Sequence, residues 1–456
     1  MIAFQLSELA AKLHGELAGQ DVQISSVSTD TRSLGEGDLY VALSGPRFDG
    51  HDFLEAAARQ GAAAAMISRH CDVDLPLLQV ADTRIGLGQM AAAWRRRSQA
   101  RVVGVTGSNG KTTVKEMLAA ILSCRGKTLA TRGNFNNDIG LPLTLCRLQD
   151  EDFAVVEMGA NHPGEIGYLS RIARPDVAVL NNAGRAHLEG FGDLRGVALA
   201  KAEILEGLSD EGVFVFNTDD THADLWRQLA ASHRSLGFGV SADADIRSPE
   251  ASPDLVWDEQ GFHTAFTVQT PSGDLQIHMR LAGEHNRMNA LAAIAAAQVL
   301  GAGKEDIEQG LASLQPVSGR LCLLTGQKAD WIIDDSYNAN PDSVTMAMDV
   351  LRQAPGRRVL VLGDLGELGE DAARLHAELG EMAAGSNIDL LFTCGSLSEK
   401  TSEAFGAGAR HFADQDLLIE CLLEDLRSGD VVLIKGSRAA AMDRTVEALC
   451  AEMPLC

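Results

Sequence analysis

Short apolar runs bounded by turn residues recur along the middle of the chain. "RVVGV", "FAVVEM", "DVAVLNN" and "GVFVFN" follow one another from about residue 99, and each has the length and composition of a strand buried on both faces of a parallel sheet. Between them the period lengthens. In "TVKEMLAAILSCRG" the residues Val114, Met117, Leu118, Ile121 and Leu122 fall on one helical face, and Gly126 marks the stop. Strands alternating with helices predict right-handed crossovers and a mostly parallel sheet. The period then drops to two in "FHTAFTVQT" and "LQIHMRLAG", on either side of "PSGD", which predicts a hairpin appended to that sheet. A helix, "HNRMNALAAIAAAQVLG", follows and ends near Gly301.

The patterns on either side differ from this centre. Residues 1–98 combine helical "MIAFQLSELAAKLHG" and "FLEAAARQGAAAAMI" with strand-like "DLYVAL". Their last helix, "GLGQMAAAWRRRSQ", ends in Arg95, Arg96 and Arg97; cations suit a helix C-terminus, so these read as a solvated helix end. After about residue 315 the strand–helix alternation returns in "WIIDD", "RVLVLGD", "AARLHAELGEMAAG", "DLLFTCG" and "VVLIKG", a second doubly wound unit. The expectation is an α/β protein of three domains: a small α/β unit at 1–98, a central unit at 99–314, and a C-terminal unit at 315–456.

A length of 456 residues accommodates three such cores. The formal charge of −24 excludes a non-specific nucleic-acid binder, which needs a basic field. There is no basic segment followed by an apolar run at the start and no 18-residue apolar stretch. Eight dispersed cysteines form no C-x-x-C pair, as in reduced thiols rather than a disulfide framework or zinc site. The expectation is a cytoplasmic protein that does not insert into membranes.

Candidate chemistry begins at "VTGSNGKTT". A strand, a glycine-rich turn and a helix start bring Gly107, Ser108, Asn109 and Gly110 to a helix N-terminus, where backbone N–H groups can surround phosphate. Lys111 would neutralise β- and γ-phosphate charge, and Thr112 or Thr113 would place a hydroxyl on Mg²⁺. The spacing Gly107-x-x-Gly110-Lys111 departs from the usual phosphate loop, because Val105 stands where its first glycine is expected. Glu157 ends the apolar run "FAVVE", where a buried acid is rare unless paired or metal-bound. His187, in the loop after the next strand, is a candidate second metal ligand. Asn134, Asn136 and Asn137 in "TRGNFNNDIGLP" offer uncharged donors and acceptors suited to substrate contact or to turn formation.

"TGSNGKTT", "VVEMGA", "NNAGRAHLEGFG", "LAKAEI", "AGEHNRMNALAA" and "DDSYNANPDS" occur in this order along nearly the whole chain, and together they resemble the Mur ligase family. The opening "VSTDTRSLGEGDLYVALSGPRFDGHDF" is similar to that family's UDP-binding first domain, and the C-terminal unit then becomes a Rossmann-like domain for the incoming amine. The resemblance implies an ATP-dependent amide ligase of cell-wall precursor assembly. Its substrates would be UDP-N-acetylmuramoyl-tripeptide and D-alanyl-D-alanine, its products ADP and phosphate, and its state a monomer. It implies ATP, two Mg²⁺ ions and a CO₂-derived carbamate on Lys201. Lys111 and Thr112 would hold phosphate and Mg²⁺; Thr112, Glu157, His187 and carbamylated Lys201 would be metal ligands. Asn286 and Asn289 would lie near the adenine, Arg320 would reach the γ-phosphate, and Asp335 would contact the nucleoside. Asp30, Arg32, Gly45 and His51 would serve the uridine-diphosphate end, and Asn136, Asn137, Asn338 and Asn340 other substrate contacts.

The implied reaction passes through an acyl phosphate, and parts of its site lie on both the central and C-terminal units, so the resting chain is expected to be open. His376 and the acids of "GDLGELGED" are candidates for the dipeptide's ends, or a solvated loop. A folylpolyglutamate-type ligase, another Mur-type ligase and a non-ligase P-loop ATPase or binding module are the competing readings.

Overall fold

A computed structural model describes residues 3–46, 48–249, 255–258 and 261–451. Its central sheet has seven strands in the order Thr128–Ala130, Phe153–Glu157, Arg101–Thr106, Val177–Leu180, Val213–Asn217, Arg234–Gly239 and Ile246–Arg247. Every pairing in it is parallel. From Arg101–Thr106 the chain goes to the edge strand Thr128–Ala130, returns inward to Phe153–Glu157, and then crosses to the other side at Val177–Leu180. Its successive crossovers therefore diverge at the carboxyl end of that strand, where open α/β sheets bind ligands.

Helix Lys111–Ser123 follows that strand. Val114, Met117, Leu118, Ile121 and Leu122, the predicted face, are all fully buried. They pack with the alanine-rich helix Glu284–Val299, whose Ala290–Ala297 segment is entirely buried. Small side chains let these two helices sit close against the sheet. The predicted hairpin forms between Gly261–Val268 and Leu275–Met279. It is not part of the central sheet: with Leu255–Asp258 it makes a separate three-stranded antiparallel sheet. Among the described residues, one bridge between Arg247 and Gln269 joins the two sheets.

The first unit carries a five-stranded sheet, Glu16–Ala18, Leu77–Gln79, Ala64–Ile67, Asp38–Val41 and Ser26–Ser28. The helix expected over "FLEAAARQGAAAAMI" stops half-way. Leu54–Arg59 is helical, Gly61 turns at φ +90°, and Ala64–Ile67 is a strand held between Asp38–Val41 and Leu77–Gln79. Pairing on both edges and complete burial override the helical preference of alanine.

Helix Thr83–Arg97 joins the first unit to the second. Trp94 is fully buried, donates from Nε1 to the Leu148 carbonyl at 2.8 Å, and lies 5.5 Å from the Phe4 ring. Arg96 and Arg97 are exposed, as expected of a solvated helix end, but Arg95 is turned inward. Arg95 reaches the Ala173 carbonyl at 2.9 Å and Asp176 at 3.2 Å, and Arg97 lies over Phe4 and pairs with Glu8. One apolar core consequently runs from Phe4 through Trp94 to Trp226, across residue 98.

The C-terminal sheet has six strands in the order Cys322–Thr325, Trp331–Asp335, Asp430–Lys435, Arg357–Gly363, Leu390–Cys394 and Ala409–Phe412. The edge strand Cys322–Thr325, antiparallel to its neighbour, has no counterpart in the predicted pattern. Among the described residues no helix is long and apolar enough to cross a membrane, and Cys146 and Cys450 are buried free thiols. Trp94→Ala removes the largest side chain at the joint between the first two units. It is expected to destabilise the protein by about 3–5 kcal/mol, measured by denaturant unfolding.

Candidate active site

Three strands of the central sheet deliver polar residues to one point. Arg101–Thr106 leads into the glycine-rich turn, Phe153–Glu157 ends in Glu157, and Val177–Leu180 is followed by Asn181 and Asn182. The turn is fixed by those asparagines. Asn109 N–H donates to Asn182 Oδ1 at 2.8 Å, and its carbonyl accepts from Asn181 Nδ2 at 3.0 Å and Asn182 Nδ2 at 3.1 Å. Ser108 N–H donates to the Asn182 carbonyl at 3.0 Å. Two of the loop N–H groups expected at phosphate are thus engaged in holding the loop. Gly107 and Gly110 have φ of +153° and +79°. A Cβ on Gly110 would stand 2.2 Å from Asn289 Oδ1, so both conformation and space require glycine there.

Asn286 and Asn289 are buried and linked, Asn289 Nδ2 donating to Asn286 Oδ1 at 3.0 Å and Asn181 Nδ2 donating to Asn289 Oδ1 at 2.8 Å. Lys111 Nζ folds back onto the Gly107 and Ser108 carbonyls at 2.7 and 3.2 Å. Burial lowers its pKa, the Glu157 charge opposes that shift, and nearby Arg320 adds to it. Glu157 is almost fully buried and accepts from Thr112 Oγ1 at 2.9 Å and Asn136 Nδ2 at 2.7 Å. Asn137 instead caps the following turn, its Oδ1 accepting from Gly140 N–H at 2.8 Å. Thr113 lines the cleft beside Thr112. Lys201 is fully buried, 5.2 Å from the Phe191 ring centroid, and its pKa falls to about 7 through burial and then repulsion by Lys111.

The C-terminal unit completes the wall. Arg320 Nη2 reaches Thr112 Oγ1 at 3.4 Å, with its guanidinium over the Tyr337 ring at 4.4 Å. Asp335 is paired with Lys435 at 2.5 Å and accepts from Leu321 N–H at 3.2 Å; burial raises the acid and lowers the lysine. Asn338 gives its carbonyl to Lys435, and Asn340 caps helix Pro341–Leu351 while its Nδ2 donates to Asn109 Oδ1 at 2.8 Å. The open arrangement expected from the sequence is therefore not the one observed: the C-terminal unit rests on the phosphate-loop turn. The cleft between the units measures about 1160 Å³ and is lined from all three, among others by Arg84, Lys111, Glu157, Arg320 and Lys435.

Other predicted residues stand elsewhere. His187 lines the cleft at φ +55°, and its Nδ1 touches Glu367, whose carboxyl it holds below the usual range. Among the described residues no three His, Cys, Asp or Glu side chains gather as a metal cluster. Thr112 and Glu157 nonetheless present two oxygen donors 2.9 Å apart, which fits Mg²⁺, an ion that takes few protein ligands beside phosphate oxygens. Asp30, Arg32, Gly45 and His51 lie outside the large cleft. Asp30 and Arg32 pair at 2.7 Å, which lowers Asp30 to about 2. Gly45 sits in the short hairpin Ser44–Asp49. Both His51 ring nitrogens are engaged, Nδ1 with Asp49 at 2.6 Å and Nε2 accepting from Ser68 N–H at 3.0 Å. His376 is buried and holds the Leu365 N–H and the Ala372 carbonyl.

Comparison with known proteins matches three successive family models: the Mur ligase family catalytic domain over residues 23–120, the Mur ligase middle domain over 105–297, and the Mur ligase glutamate ligase domain over 319–438. The UDP-N-acetylmuramoyl-tripeptide–D-alanyl-D-alanine ligase of Escherichia coli (strain K12) is 46% identical over 452 residues, 98% of this chain and 99% of that protein. The chain belongs to the Mur ligase family. MurF from Acinetobacter baumannii superposes with a TM-score of 0.91 at 36% identity, over 98% of both chains. The MurF ligase of Thermotoga maritima in complex with ADP does so at 0.83 and 31% identity, over 93% of this chain and 96% of that one.

Within this Mur ligase fold, Asn181, Asn182 and Lys435 join the expected residues at the site. Each had a signal of the kind that exposed Glu157: a polar or charged residue closing an apolar strand, "VAVLNN" and "VVLIK".

Proposed function

We infer that this chain joins D-alanyl-D-alanine to UDP-N-acetylmuramoyl-tripeptide, with ATP converted to ADP and phosphate, as a cytoplasmic monomer. The activity is the one named for the Escherichia coli relative, matched over 98% of this chain. The observation that carries the chemistry is the approach of Arg320, from the C-terminal unit, to Thr112 beside Lys111 and Glu157. A carboxylate repels nucleophiles and would have to expel oxide. Transfer of the ATP γ-phosphoryl group to it gives an acyl phosphate; the neutral amine of the dipeptide attacks, and phosphate leaves from the tetrahedral adduct. Two anions must meet in the first step, and Lys111 and Arg320 would lower their repulsion.

In this reading Gly107, Ser108, Asn109, Gly110, Lys111, Thr112 and Thr113 form the triphosphate cradle, with Asn286, Asn289 and Asp335 toward the nucleoside. Thr112 and Glu157 would hold one Mg²⁺, and His187 and a carbamate on Lys201 a second; bound Mg²⁺ would supply charge screening at the phosphates. Carbamylation needs a neutral amine, and a pKa of about 7 leaves much of Lys201 in that form. Asn136, Asn137, Asn338 and Asn340 would contact the peptide. Asp30, Arg32 and Gly45 serve the UDP end, and His51 acts there by holding Asp49 and Ser68.

Purified protein is expected to release ADP only when both substrates are present, with their amide as the product by mass spectrometry. Lys111→Ala should lower kcat/KM by about 10² to 10³. ADP release indifferent to the two substrates would favour a P-loop ATPase instead. Equilibration with ¹³CO₂ should give a carbamate resonance in the parent protein that is lost in Lys201→Met; its absence from the parent would exclude the modification.

A further inference from the structure

The loop that leaves strand Val177–Leu180 is fastened to the phosphate loop. Asn182 holds Ser108 and Asn109, and Gly184 N–H donates to Ser108 Oγ at 2.8 Å. The next residue, Arg185, faces the C-terminal unit. Asp342, in the first turn of helix Pro341–Leu351, accepts from Arg185 N–H at 2.6 Å and from Arg185 Nε at 2.7 Å. Glu378 lies 3.7 Å from Arg185 Nη1. A Cβ on Gly184 would come 2.6 Å from Asp342 Oδ2, so the glycine allows the helix to approach this closely. The same helix start carries Asn340, which bonds Asn109.

We propose that Arg185 and Asp342 are positioning residues that latch the C-terminal unit onto the phosphate loop and so place Arg320 for phosphoryl transfer. Neither side chain lines the cleft, so their effect on the reaction passes through what they hold. One carboxylate grips a backbone N–H and a guanidinium of the same residue, which fixes direction as well as distance. The side chains are 31% and 25% exposed, less screened than a free surface pair, and the carboxylate lies at a helix N-terminus, where it is favoured. Latching and nucleotide binding are then linked, each strengthening the other by the same factor. The role in catalysis rests on the ligase reading; the latch itself does not need it.

A double-mutant cycle tests the proposal. Asp342→Ala removes both bonds, whereas Arg185→Ala leaves the main-chain bond. The expected loss in kcat/KM for ATP is therefore about tenfold for Asp342→Ala, smaller for Arg185→Ala, and for the pair well below the product of the two single losses. Affinity for UDP-N-acetylmuramoyl-tripeptide alone should stay unchanged. With Mg²⁺ and a non-hydrolysable ATP analogue, small-angle scattering should find the Asp342→Ala protein more extended than the parent. Additive losses, an equal fall in affinity for the UDP-linked peptide, or identical scattering would overturn the latch. Scattering uses no peptide substrate, so a parent protein that makes no amide would reject the ligase reading and leave the latch to be judged on scattering.

Discussion

Positive charge held close together in a chain of net charge −24 is the constraint on which the site depends. Lys111 feels Arg320, Lys201 feels Lys111, Lys435 feels Arg320, and His285 feels Lys435; burial and these repulsions push each toward its neutral form, His285 to about 4. Carboxylates oppose each lysine shift without reversing it: Glu157 at Lys111, Glu165 and Glu203 at Lys201, and Asp335 and Asp334 at Lys435. A polyphosphate bound beside Lys111 and Arg320 adds negative charge between the two units and so relieves the repulsion of those two cations. Fixed charges in a shaped cleft need little rearrangement when negative charge shifts from nucleotide to peptide.

The fold supplies this by convergence. Parallel strands place Glu157 and Asn181 beside the phosphate-loop strand, and the C-terminal sheet brings Asp335 and Lys435 side by side on adjacent strands. Asparagines do the fixing. Asn109 uses its N–H, its carbonyl and its side chain to tie the turn to the central sheet and to the C-terminal unit. Neutral amides suit this task, because they satisfy backbone groups in a site crowded with charges of both signs without adding another.

Much of this was legible in the pattern. Periodicity identified the buried face of helix Lys111–Ser123 and the parallel strands around it, because burial on both faces leaves unbroken apolar runs. It failed at Ala64–Ile67, where alanine's helical preference yields to pairing with two neighbours that no local pattern announces. Arg95 looked solvated for the same reason: its partner Asp176 is 81 residues away. In the site, motif chemistry found Lys111 and Glu157, and the family resemblance supplied Arg320, but the asparagine links and the Arg185–Asp342 contact are tertiary and carry no spacing rule. His51 shows the opposite difficulty, a histidine in a suggestive loop whose ring is occupied by its own fold.

Amide formation in this site requires direct contact between a nucleotide's terminal phosphoryl group and a peptide carboxylate at the meeting of Lys111 and Arg320. The decisive measurement uses UDP-N-acetylmuramoyl-tripeptide carrying ¹⁸O in both oxygens of its terminal carboxylate. Transfer through an acyl phosphate predicts one ¹⁸O in the released inorganic phosphate and the other in the new amide. Inorganic phosphate free of the label, recovered alongside the finished amide, would contradict it.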